Sequence, residues 1–509
     1  MKKSKKIFIF TLVLLGVSSF LLWAYPLSAE SAPKSGGTFK LIRYTGAGRS
    51  IGWGPSIART DRTDAECALE SFLRLYLDLR MEPMLATSWK IAQDRSSVTF
   101  NLRKGVKFHD GTDWNAEAAK FNLEACKEAK IPGSNRWTAI KVIDNYSIQV
   151  DLNEWQNTVL EDIGTVLMVS PTAYKTMGKD KMNWHPVGTG PFKFVSVDRD
   201  VSTIYERFED YWQKGKPYVD RVELLVITDP VTQAAAMEAG EGDALYSPNL
   251  KVGADLKAKG FESIYRHDGS FNLMPDSANP DSPYADKRVR EALEYALDRP
   301  AIMKALGQGF WQPAYQFPCD YNKGYISDFK GREYNPAKAK SLLKEAGYAN
   351  GFKTTIMIFP GTSREIMAAV QGYYAQVGIQ AELEFPDMGK YGQARRGGWK
   401  NGLMAAPWSI YANLGRTLTT YAATSSGDYV NMKRPAGIDK LVDEIIGTIE
   451  IDQSKIEQAV RLWSEEATAI PLWYIGAPRS LRPGVVHDTG FLDFASNYDW
   501  APESVWLSK

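Results

Sequence analysis

The order of apolar and polar residues gives the chain its first shape. Val98, Phe100 and Leu102 alternate with polar neighbours, the period of a strand with one buried face. Lys104-Gly105 then predicts a tight turn, residues 106–108 a second short strand, and His109-Asp110-Gly111-Thr112 another turn. Asn115 is placed to cap a helix that begins at Ala116 with Glu117 in its first turn. Further strands are predicted at 37–44, 148–152, 224–228 and over Ile379, Ala381, Leu383 and Phe385. Helices are predicted at 65–79, after Asp229, and from Asp286, where Val289, Leu293 and Ala296 share a face until Pro300 interrupts. Asn335-Pro336 starts another helix, by a cap and a first-turn proline, and Gly347 ends it. Residues 363–377, 437–449 and 454–469 complete the helices, and 470–475 reads as a final apolar strand. Strands alternating with helices predict α/β lobes with mostly parallel sheets.

Composition narrows the class. A chain of 509 residues can build two or three lobes with their own cores. Its 44% hydrophobic and 24% charged residues are ordinary for a globular protein. The N-terminus stands apart: Lys2, Lys3, Lys5 and Lys6 precede an apolar run over 7–24, and Leu27-Ser28-Ala29 offers a small-residue cleavage site. Residues 1–29 are thus expected to be a cleaved signal peptide, with an uncleaved anchor as the alternative because the run approaches a bilayer-spanning length. No cysteine follows the run, which predicts no lipid anchor. Removing 1–29 takes away four Lys and no acid, so +1 becomes −3, which argues against a nucleic-acid surface.

Candidate chemistry is sparse. Gly46-Ala47-Gly48-Arg49-Ser50-Ile51-Gly52 follows a strand, but its third glycine is one position late for a dinucleotide loop and Pro55 interrupts the helix such a loop requires. Gly188-Thr189-Gly190-Pro191 lacks the Lys-Ser/Thr of a phosphate loop. His109-Asp110 is a weak metal pair, since His185, His267 and His487 are scattered singly, and it reads as a turn. No G-x-S-x-G elbow supports a serine hydrolase. Cys67, Cys126 and Cys319 form no C-x-x-C pair and read as buried and inert. Neither a catalytic residue, a metal nor a cofactor is expected. Fifteen Trp and 25 Tyr are many for this length, and such rings make stiff walls for a ligand.

Six ordered blocks carry a resemblance. Beside the stretch 98–121 stand Gly36-Gly37-Thr38-Phe39, Leu85-Ala86-Thr87-Ser88-Trp89 and Pro186-Val187-Gly188-Thr189-Gly190-Pro191-Phe192. Arg207-Phe208-Glu209-Asp210-Tyr211-Trp212 follows, then Val289-Arg290-Glu291-Ala292 with Asp298-Arg299, and Asn335-Pro336 through Gly347-Tyr348. Together they resemble the family-5 solute-binding proteins that feed peptide, nickel and related ABC importers. The resemblance implies a two-lobed periplasmic-binding-protein clamshell, type II-like, with an additional subdomain in the first lobe. Lobe I would take 30–70, 186–275 and 478–509, the subdomain 71–185, and lobe II 276–477, with hinge crossings near Asn272 and Ala477. It also implies a monomer in the periplasm that captures a small-molecule solute by hinge closure. The solute would pass to ABC permease subunits with cytoplasmic ATPases. A secreted hydrolase of peptides or sugars, or a ligand-binding module for a membrane sensor, would be the alternatives.

Site residues follow from the same resemblance. Trp408, Tyr411, Asn413 and Arg416 fall where the family's lobe II loop enters the cleft. Tyr44, Arg49 and Trp53 fall on the facing lobe I loop, and Arg136 and Trp137 would approach from the subdomain. One departure stands out. Peptide-binding relatives carry an aspartate in the lobe II loop to pair the ligand's amine, whereas 404–421 contains neither Asp nor Glu here. A buried ammonium without a partner is costly, so the loop suggests a neutral or anionic solute, with Arg416 or Arg49 facing a carboxylate.

Overall fold

A computed structural model describes residues 32–495 and 499–508, so the expected signal peptide lies outside the described residues. Three sheets organise them. The lobe I sheet runs in the order Glu262–Ile264, Arg479–Leu481, Ala244–Tyr246, Thr38–Arg43, Arg221–Val226, Ser202–Arg207, Phe192–Asp198. The lobe II sheet runs Gln312–Pro313, Ile470–Ile475, Gly269–Pro275, Gly402–Ser409, Phe352–Ile358, Ile379–Glu384. Between them in sequence, Ala86–Ile91, Ser97–Leu102, Ser147–Leu152 and Trp137–Asp144 form an antiparallel subdomain sheet. The helix Ala116–Glu128 packs on that sheet, and Asn115 caps it by accepting from Ala118 N at 3.0 Å.

The mostly parallel expectation is corrected. In lobe I only Thr38–Arg43 is parallel to both of its neighbours, in lobe II only Phe352–Ile358 is, and the other pairings of the two sheets are antiparallel. Parallel neighbours need a crossover helix between them, whereas hairpins and strands returning across the hinge pair antiparallel. The first crossing also moves. Gly269–Pro275 is paired along its length with Gly402–Ser409 and Ile470–Ile475, so it belongs to lobe II and the chain crosses at 265–268, not near Asn272. The return runs through 476–478, between Ile470–Ile475 and Arg479–Leu481.

Two local expectations change as well. The helix predicted at 65–79 is Arg62–Ala68, after which Leu73–Leu75 pairs with Met81–Pro83 as a hairpin. Arg74 explains the break, because its guanidinium meets Glu503 in a buried bidentate pair, with 2.8 and 3.2 Å contacts, that a continuing helix would not place there. Residues 106–108 form a looped ladder instead of a strand: Trp114 N donates to Val106 O, Phe108 N to Thr112 O, and His109 N to Gly188 O. Val106 and Phe108 are buried all the same. Pro300 sits in the first turn of a new helix, Arg299–Leu306, capped by Asp298.

The turns that look most chemical in the chain are scaffold in this fold. His109 Nε2 lies 2.9 Å from Gly190 O, and its ring meets Phe208 edge-on. Glu70, buried at the end of the first helix, accepts from Tyr211, Trp212 and Thr189. The His109 contacts, with Met168 N donating to Glu70 O at 2.8 Å, tie the subdomain to lobe I, and the Glu70 side chain braces lobe I beside that joint. All three cysteines are buried and free.

Candidate binding cleft

Strand periodicity builds one wall of a cavity of about 720 Å³ between the lobes. Phe271 is paired in register with Trp473 on one side and Pro407 on the other, so the three side chains share one face of the lobe II sheet. Phe271 and Trp473 stack at 5.0 Å, and Trp311 continues the stack at 6.3 Å with the same 10° interplanar angle. Phe359, Pro360 and Gly361 close that side. Lobe I contributes Tyr44, packed edge-on against Tyr246 at 5.5 Å, together with Thr45, Thr60 and Thr63.

Charges enter from the hinge and from chain segments beside it. Arg59, on lobe I, donates to Ser409 Oγ of lobe II at 3.3 Å and lies 4.0 Å from Asp268 at the first crossing. Half of its side chain, 49%, remains open. Burial works against the Arg59 charge, but Asp268 and Asp499 together more than offset it and raise its pKa. Arg479, just after the second crossing, stacks over Tyr246 at 4.1 Å and donates to Ala477 O. Asp499 faces the same space and is held by Thr63 Oγ1. Arg43 also borders it, already neutralised by Asp64 at 2.5 Å. The cavity therefore offers two cations and two carboxylates against aromatic walls.

A second cavity, about 900 Å³ and strongly polar, lies between the subdomain, lobe I and Tyr411 and Arg416 of lobe II. Three of the residues expected at the site, Arg49, Tyr411 and Arg416, line it, while Tyr44 lines the first. Arg416 is engaged by Asp162 and by Glu161 at 3.4 Å; burial lowers its pKa, and those two carboxylates raise it further than burial lowers it. The other five residues line neither cavity. Trp408 is 1% exposed and stacks on Tyr421 at 4.5 Å inside lobe II. Trp53 stacks on Tyr174 at 4.4 Å in the lobe I core, and Trp137 is buried in the subdomain core. Arg136 pairs with Asp162 at 2.6 Å. Asn413 caps the helix Leu414–Tyr421 and donates to Asn157 Oδ1 at 3.0 Å.

The glycine-rich loop after the first strand folds around a carboxylate of its own. Asp61 accepts from Gly48 N, Arg49 N and Ser50 N at 2.8, 3.0 and 3.2 Å, which uses the amides a phosphate would need. Two acids, Asp268 and Asp499, line the cavity from outside the lobe II loop, and neither they nor Arg59 and Arg479 are among the residues the sequence points to. A usable signal existed: Asp268 and Arg479 are charges flanking the short segments that connect two apolar strands, the positions a hinge crossing brings to a cleft.

Comparison with known proteins fits this geometry. The sequence model for bacterial extracellular solute-binding proteins, family 5 (middle region), matches residues 80–428. The chain belongs to that family. Family-5 proteins bind small solutes for ABC importers, and the chain is accordingly a solute-binding protein, not an enzyme. The glutathione-binding protein GsiB of Shigella flexneri is 30% identical over 362 residues, covering 65% of this chain and 69% of GsiB. In fold, the family-5 chain is similar to the periplasmic binding protein DppA of Helicobacter pylori in complex with the peptide STSA, at 24% identity and a TM-score of 0.76, over 94% of this chain and 99% of DppA. It is also similar to NikA of Brucella suis in complex with Fe(III)-EDTA, at 21% identity and a TM-score of 0.80, over 92% of this chain and 100% of NikA.

Proposed function

We propose that the protein captures a small organic solute bearing both an anionic and a cationic group, such as a short or modified peptide. The observation that carries this reading is the co-placement of Arg59, Arg479, Asp268 and Asp499 in one cavity with aromatic walls from both lobes. A zwitterion can pair with both signs there, while a purely anionic solute would leave two carboxylates facing it. Its volume of about 720 Å³ suits a ligand of a few residues with some water. GsiB, named as glutathione-binding, and DppA, bound to a peptide, support the same class.

Function then follows from the hinge. Solute that touches both lobes favours their closed arrangement by its differential affinity, and the closed shape marks the loaded receptor for the permease. In this reading the leader is removed after Ala29, the receptor works in the periplasm as a monomer, and permease subunits with cytoplasmic ATPases take up the cargo.

Mass spectrometry of small molecules released from the natively purified protein identifies the solute. Calorimetry with that solute should then show Arg479→Ala and Asp268→Asn each weakening binding by about 30-fold or more, the cost of removing one partner from a desolvated charge contact. Retention of full affinity by both variants would overturn the reading, as would a retained solute without a cationic group.

A further inference from the structure

A second seam joins the subdomain to lobe II, away from the first cavity. The lobe II helix Ile438–Ile446 ends at Gly447, and its terminal carbonyls are satisfied from the subdomain. Asn157 N donates to Ile446 O at 2.7 Å and Asn157 Nδ2 to Ile445 O at 2.9 Å. Arg95 Nη1 donates to Gly447 O at 2.6 Å, and Trp155 Nε1 to Thr448 O at 3.0 Å. Helix C-termini leave carbonyls without intrahelical donors and carry partial negative charge, so an amide, an indole and a guanidinium complement this end.

Two further contacts extend the seam. Asn413 Nδ2 donates back to Asn157 Oδ1, and Arg416 reaches Asp162 and Glu161. Asp162 is itself fixed: Arg136 Nη2 and Thr158 Oγ1 donate to its Oδ2 at 2.6 and 3.2 Å, and only the missing Cβ of Gly133, 2.4 Å from its carboxyl carbon, leaves room for it. None of Arg95, Trp155 or Asn157 lines the first cavity, and all three keep solvent contact, so water can replace their bonds as the lobes part.

We infer that this seam is a latch: Arg95, Trp155 and Asn157 hold lobe II against the subdomain without any solute present. The latch adds the same free energy to closure with and without cargo, and so sets how much of the protein is closed before binding. Its residues thereby position the lobes for solute from outside the binding cavity. The consequence for affinity rests on the clamshell function proposed above; the latch itself does not.

A solute-free measurement separates the two. Nitroxide labels at Lys214→Cys on lobe I and Lys440→Cys on lobe II report the interlobe distance by pulsed electron resonance, and the native cysteines are buried. Stripped of solute by unfolding and refolding, the full-length protein should show a short-distance population. The triple variant Arg95→Ala/Trp155→Phe/Asn157→Ala should lower its closed-to-open ratio at least about tenfold, as loss of four side-chain hydrogen bonds predicts. Asn157→Asp, which sets a carboxylate against carbonyls, should lower it too. Circular-dichroism melting confirms that both variants fold. No short-distance population in the parent, or an unchanged ratio in folded variants, overturns the latch whatever the solute proves to be.

Discussion

The subdomain meets each lobe through a joint, and the two joints are built from different materials. Toward lobe I the contacts are buried and charged or aromatic: Arg74 with Glu503, His109 against Gly190 and Phe208, and Arg103 over Trp212, whose indole is braced by Glu70 of the same lobe. Toward lobe II they are mostly hydrogen bonds from solvent-reached donors to the end of one helix, with one ion-pair cluster, Arg416 with Glu161 and Asp162. Opening the first joint would strip paired charges of their partners in a dry interior, while opening the second exchanges most of its protein donors for water and parts Arg416 from carboxylates of which Asp162 keeps Arg136. The subdomain therefore travels with lobe I, and its lobe II face is the one that can let go.

The sharpest test of that contrast is Arg74→Met. Both side chains of the Arg74–Glu503 pair are nearly inaccessible, at 7% and 3%. Burial disfavours the Glu503 charge, yet Arg74 holds its pKa below the usual value. Removing the cation should cost about 4 kcal/mol of global stability, visible as a lowered urea midpoint. Arg416→Met should behave otherwise, although Arg416 also meets two buried carboxylates. Its partners can regain water by parting from lobe II, and Arg136 still pairs with Asp162. Closure should weaken by about 2 kcal/mol, about 30-fold, with the radius of gyration rising in small-angle scattering and the urea midpoint nearly unchanged. If Arg416→Met unfolds the protein as Arg74→Met does, the two joints are of one kind.

Sequence revealed the parts governed by neighbouring residues. Asn115 before Ala116, Asn335 before Pro336 and Asp229 before Pro230 each cap a helix where the chain pattern put one. Local chemistry suffices there, because a cap needs only a side-chain acceptor within three residues of its amide. Pairing partners are remote and were not readable. Neither the antiparallel flanks of the sheets nor the crossing at 265–268 has a local signature. The cleft shows the same limit at finer scale. In Gly402–Ser409 the cavity receives Pro407 and Ser409, while Trp408 between them turns to the opposite face with Met404 and Ala406. Residues 402–408 are all apolar, so the chain pattern does not mark the strand's two faces, and which face met the cavity depended on the layer packed behind it.

The smallest effect concerns Glu70 of lobe I, whose backbone carbonyl accepts from Met168 N of the subdomain at 2.8 Å beside that joint. Burial pushes its pKa from the usual 4.5 up to about 7, against the hydrogen bonds from Trp212, Thr189 and Tyr211 that lower it. A raised folded-state value means that the native protein keeps a proton the unfolded chain has lost, so stability falls as pH rises from about 4.5 to about 7. His109 in the same joint acts in the opposite sense. Burial depresses its pKa from 6.5 to about 4, and stability is gained as pH rises through that window. The two trends oppose each other below pH 6.5, where His109 has finished titrating in the unfolded chain, and only the decline due to Glu70 continues above it. Glu70→Gln keeps an acceptor for the three donors but cannot ionise. Unfolding free energies from urea titrations between pH 5 and 7.5 should rise in this variant relative to the parent, by up to about 2 kcal/mol, with His109→Gln tilting the curve the other way. Identical pH profiles in parent and Glu70→Gln would mean that water reaches this joint, and the distinction from the releasable lobe II face would be lost.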